Sequence, residues 1–174
     1  MKPTDGKLIG PKDGDAIIDA INRKDDFAVV VRGTAVLETA MNEAIAAAFT
    51  LDNAIYRTTY LSWQSLVRLC VAAGMLNRTL LAPLERLGRL RNRYAHEHDY
   101  HAKIGDVEYD QYVKTDVLAS DVFKIGGQIR YGDTPLGKIV VRLLPLLLQV
   151  DTQLTAYLRA HNRLPEILGE RDVK

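Results

Sequence analysis

The chain has one cysteine and one tryptophan among 174 residues, and aromatic side chains make up only 7% of it. A lone Cys70 excludes an intramolecular disulfide, and its neighbours Leu69, Val71 and Ala72 predict a buried, inert thiol rather than a nucleophile. A reducing cytoplasm suits such a chain. An excess of either charge is also missing. With 23 basic and 22 acidic residues the formal charge is +1, so no global field draws the chain to nucleic acid or membrane, and any polyanion site must be a local patch. The first residues, Met1 to Pro11, hold lysines but no apolar run. The most apolar stretch, Ile139 to Val150, is short for a bilayer and carries Arg142, so neither secretion nor membrane insertion is expected. There is no Gly-rich phosphate loop, Gly-x-Ser-x-Gly elbow, H-E-x-x-H helix, cysteine pair, helix-turn-helix or internal repeat. No cofactor is implied.

An apolar share of 47% is enough for one globular domain with its own core. The Lys-, Asp-, Gly- and Pro-rich residues 1–12 lack periodicity and read as a flexible arm, with the domain proper over 13–174. A short helix is expected near Asp15 to Arg23. From Asp25 to Phe49, Val30, Leu37, Met41 and Ile45, with Thr34 between, recur at three- and four-residue steps and predict a long, central amphipathic helix. A third helix is expected from about Leu61 to Met75, and Asn77 suits the N-cap of a fourth, Arg78 to about Glu97, bent early by Pro83. His101 to Gly137 reads as an irregular insertion, with a small β-hairpin over Val122 to Tyr131 around Gly126-Gly127. Pro135 to Ala160 returns to a helical pattern that Pro145 kinks or divides. The fold class is therefore mainly α, a bundle of four to five main helices.

On the fourth helix Leu80, Leu84, Leu87 and Tyr94 line one face, and at about 100° per residue Arg91 projects into the same stripe. A guanidinium there must pair with an acid, face a cleft or meet an anionic ligand. Glu38, beside the Val30, Leu37 and Met41 face of the second helix, is the acid expected to pair with it, and an interior ion pair fixing helix register is one complete account of Arg91. The second account comes from its C-terminal neighbours: polar Asn92, then His96, with His98, Tyr100 and His101 just beyond.

This spacing resembles the signature of the HEPN superfamily, an Arg followed by a polar residue and, four to six residues after the Arg, by a His near a helix end. In order along the chain, Val31-Arg32-Gly33, Leu37-Glu38, Leu61-Ser62, Ala73-Gly74-Met75-Leu76 and Leu90-Arg91-Asn92-Arg93-Tyr94-Ala95-His96 are similar to the mannitol repressor family within that superfamily, over roughly Phe27 to His98. The resemblance implies a HEPN-type helical bundle and a metal-independent endoribonuclease of toxin or defence type, in which the 2′-hydroxyl of RNA attacks the adjacent phosphate. His96 would be the general acid or base, Arg91 the phosphate clamp, and Asn92 an orienting group, with Glu38 and His98 in support. It equally implies a non-enzymatic transcription regulator acting through a protein partner, and for a nuclease an antitoxin-like partner.

Residues five apart on a continuous helix differ by about 140°, so Arg91 and His96 do not share a face within one chain. The resemblance implies a homodimer whose two motifs meet across a cleft, and a helix ending near Ala95 would also turn His96 inward. Arg86, Arg89 and Arg93, three and four apart on the opposite face, could form an RNA-backbone ridge or simply a solvated surface with Glu85 and Glu97. His96, His98 and His101 lack the residue types of a familiar metal motif, and Tyr56, Tyr60 and Trp63 read as packing residues rather than base-stacking platforms.

Overall fold

The computed structural model describes residues 8–49, 61–97, 99–114 and 134–163. Among them are six α-helices and no strand: α1 (Pro11–Asn22), α2 (Asp26–Phe49), α3 (Trp63–Ala72), α4 (Leu81–His96), α5 (Val107–Val113) and α6 (Pro135–Ala160), with a 3₁₀ turn, Arg78–Leu80, leading into α4. The hairpin expected over 122–131, together with Tyr56, Tyr60 and His98, lies outside the described residues.

Local chemistry explains where the helices start. Asp25 accepts the Ala28 N–H at 2.8 Å at the head of α2, Ser62 caps α3 through the Ser65 N–H, and Asn77 caps the 3₁₀ turn through the Thr79 N–H. At α6, Thr134 accepts the Gly137 N–H, and Pro135 occupies the first turn, where its missing N–H costs nothing. Helix α6 runs through Pro145 undivided.

Helix α2 is central, packing against α1, α3, α4 and α6. Its contact with α6 depends on Gly33: a Cβ there would lie 2.6 Å from Leu143 Cδ2. Gly88 has the same role between α3 and α4, where a Cβ would lie 2.2 Å from the Trp63 ring. Trp63 is a packing residue, buried with its indole N–H donating to the Leu84 carbonyl at 2.8 Å. Cys70 is buried as expected, and burial pushes its thiol up to about 12.

Three features differ from the sequence reading. Residues 8–12, expected to belong to a flexible arm, are held against the bundle. Leu8 is buried, the Leu8 and Ile9 N–H groups both donate to Asp151 Oδ1 at 2.9 Å, and α1 begins at Pro11. The stretch after His101 is not wholly irregular, because α5 packs on α4 and α6 with Tyr109 and Tyr112 buried. The apolar stretch Ile139 to Val150 sits in a 26-residue helix that is long and apolar enough to cross a membrane, yet much of that helix is buried, with α2 against it.

Candidate functional site

The motif rides on α4. Its apolar stripe is buried as expected through Leu80, Leu84, Leu87 and Tyr94, with Pro83, Gly88 and Leu90 added. Arg91 interrupts that stripe and is paired with Glu38, Nη2 to Oε2 at 3.7 Å. The partner is the one expected, but the depth is not. The two side chains are 29% and 35% exposed, so the pair sits at the rim of the α2–α4 contact rather than in the interior. The Arg91 side chain therefore keeps part of its surface in solvent while paired with Glu38.

His96 is the last residue of α4 and is exposed. The helix does not end at Ala95, so nothing turns His96 back toward Arg91, and the offset of about 140° for a five-residue step stands. Asn92 is exposed one residue beyond Arg91. The chain on its own therefore presents Arg91 and His96 on different faces of one rigid helix.

The basic ridge is largely committed elsewhere. Arg93 bonds Glu97 at 2.8 Å and Glu108 at 2.7 Å, and its guanidinium lies 4.7 Å from the centre of the Tyr100 ring. The hydrogen bonds to Glu97 and then Glu108 raise its proton affinity. The Glu108 carboxyl is held below the usual range by its own backbone N–H and by Arg93. Arg86 donates to the Gln111 carbonyl at 3.2 Å. Arg89 is exposed. These contacts tie α4 to α5, a role for Arg86 and Arg93 that the sequence reading lacks.

A second cluster lies beside the motif, at the head of α2. Tyr94, foreseen only as an apolar lining residue, donates its hydroxyl to Asp26 Oδ2 at 2.8 Å; burial, then Asp26, pushes that hydroxyl's pKa up. The Ala102 N–H reaches both the Tyr94 oxygen at 3.3 Å and Asp26 Oδ2 at 3.4 Å, and His101 Nδ1 lies 3.2 Å from Asp26 Oδ1. Asp99, at φ 67°, allows the chain leaving α4 to turn back toward α2. The Phe27 and Tyr100 rings meet Tyr94 edge-on. One signal for this cluster was in the sequence, because a tyrosine buried in a helix stripe needs a partner for its hydroxyl.

Elsewhere, an open cavity of 430 Å³ between α5 and α6, lined in part by Tyr109, Lys138 and Arg142, includes none of these residues. Among the described residues no group of three or more His, Cys, Asp or Glu side chains is placed to hold a metal ion. Compared with protein-family profiles, with curated proteins and with solved structures, the chain matches none.

Proposed function

We propose that the chain is a metal-independent endoribonuclease of the HEPN type, working as a homodimer. One observation carries this reading: a solvent-reachable Arg91, anchored at the rim by Glu38, and an exposed His96 lie five residues apart on one uninterrupted helix. A twofold axis near α4 sets the Arg91 of each copy opposite the His96 of the other, which removes the facing problem that a single chain has. In that groove Arg91 holds the scissile phosphate and stabilises the charge gathering on phosphorus, His96 moves the proton, and Asn92 orients the phosphate. Arg89 is the ridge residue best placed to track the RNA backbone. The mainly helical architecture with α2 at its centre supports a HEPN-type bundle. The test is incubation of the pure protein with total RNA in EDTA: fragments ending in 2′,3′-cyclic phosphate are expected from the parent and none from His96→Ala.

A second reading has its own support. Arg91 and Arg93 both have acidic partners within the chain, and side chains so committed suit an architectural role in a mannitol-repressor-like regulator that acts through a protein partner. A folded dimer that leaves every RNA intact favours this reading.

A further inference from the structure

Cleavage by 2′-hydroxyl attack needs two proton transfers, one from the nucleophile and one to the leaving oxygen, and the motif supplies one histidine. We infer that His101 is the second proton-transfer group, a general base positioned by Asp26; this rests on the ribonuclease reading. Asp26 is well suited to hold an imidazole. Its carboxylate accepts the Tyr94 hydroxyl and the Ala102 N–H on Oδ2, and the Phe27 N–H and His101 on Oδ1. It is only 16% exposed, so these bonds fix its orientation. An acceptor this committed puts the shared proton on His101 Nδ1 and leaves the lone pair on Nε2. The ring is 72% exposed, so Nε2 is open to an incoming ribose. The dyad lies on the Arg91 side of α4: Tyr94, which bonds the same carboxylate, follows Arg91 by three residues, about 60° round the helix, so the His96 that shares a site with it is that of the other copy.

The step balances without a co-reactant. His101 Nε2 takes the proton of the 2′-hydroxyl as the 2′-oxygen forms its bond to phosphorus. The phosphorus–5′-oxygen bond breaks, and the 5′-oxygen takes a proton from protonated His96. The products are a 2′,3′-cyclic phosphate and a 5′-hydroxyl, with His101 left protonated and His96 neutral. The charged group in contact with His101 is Asp26 from α2, whose carboxylate Tyr94 of α4 also bonds. Tyr100 on the connecting turn meets Tyr94 and carries Arg93 over its ring, with Glu97 and Glu108 bonded to Arg93 and Asp106 beside the Tyr100 hydroxyl.

The experiment measures the rate of RNA cleavage in EDTA for the parent, His101→Gln and Asp26→Asn, with melting curves and ¹⁵N spectra of the imidazole rings for each. His101→Gln changes a surface ring and is expected to melt like the parent while cleaving about 10²- to 10⁴-fold more slowly, the usual worth of a general base. Asp26 is a positioning residue. Asp26→Asn is expected to slow cleavage and to move the His101 ring from its Nδ1–H to its Nε2–H tautomer, read from the ring's ¹⁵N shifts, and a merely structural loss of rate would leave that tautomer unchanged. A parent that cleaves RNA beside a His101→Gln variant within threefold of it overturns the base assignment and spares the ribonuclease reading. A parent that cleaves no RNA overturns both.

Discussion

Arg91 and Glu38 join α4 to α2 through a 3.7 Å contact at the edge of the helix interface, where both side chains keep about a third of their surface in solvent. An ion pair so placed gains little from Coulomb attraction and contributes at most ~1 kcal/mol. Glu38→Ala is therefore expected to lower the unfolding free energy by no more than that, and a double-mutant cycle with Arg91→Met should return a coupling of the same size. Denaturant titration measures both. A loss of ~3 kcal/mol would instead mark a fully buried pair, and so a contact that a second copy covers.

The Tyr94 hydroxyl makes a different kind of bond, because its ring is buried and its acceptor is charged. Tyr94→Phe is expected to cost about 1.5–3 kcal/mol, the range for hydrogen bonds to ionised groups. It should also loosen the chain from Asp99 to Ala102, read as faster amide exchange at Ala102. An unchanged melting temperature would mean that Asp26 finds an equal donor elsewhere.

Gly88 meets the only tryptophan, so its substitution reports on itself. Gly88→Ala puts a methyl group where the Trp63 ring stands, and relieving that overlap is expected to cost about 1–3 kcal/mol. Trp63 emission should move to longer wavelength as its indole leaves the Leu84 carbonyl. Parent-like emission and stability would show that the α3–α4 contact is looser than described.

The Glu108–Arg93 pair gives a pH dependence of definite sign. The folded-state pKa of Glu108 lies below its unfolded value of about 4.3. The stability it contributes is thus complete above that unfolded value and is lost as pH falls through the folded one. Glu108→Gln should be less stable than the parent at pH 7, with the gap closing below about pH 4. A gap that holds steady down to pH 2 would mean that the carboxylate's charge is not what matters.

How far the fold could be read from the sequence depends on where each interaction has its signature. Helices α2 and α6 announce themselves through long runs of aliphatic residues at helical spacing, and Glu38 could be matched to Arg91 because two predicted faces each carried one stranded charge. Helix α5 is a different case. Seven residues with Glu108 and Asp110 exposed enough to bond, and with only Tyr109 and Tyr112 buried, give too little periodicity to stand out. Asp151 was hidden for another reason: its partners are the backbone N–H groups of Leu8 and Ile9, and backbone donors carry no residue type to search for. His101 was noticed, but its pairing with Asp26 depends on the turn at Asp99, which periodicity does not describe.

The central claim is that Arg91 and His96, on different faces of one helix, act together across two copies of the chain. Mixing two variants tests it most directly. Arg91→Ala and His96→Ala are each expected to leave RNA uncut, and an equimolar mixture, after subunit exchange, should recover roughly a quarter of parental cleavage, because half the dimers are mixed and each mixed dimer holds one intact site of two. A mixture as inert as its components, beside a parent that cleaves, would contradict a site built from both copies, and a parent that leaves RNA intact would contradict the account from its first step.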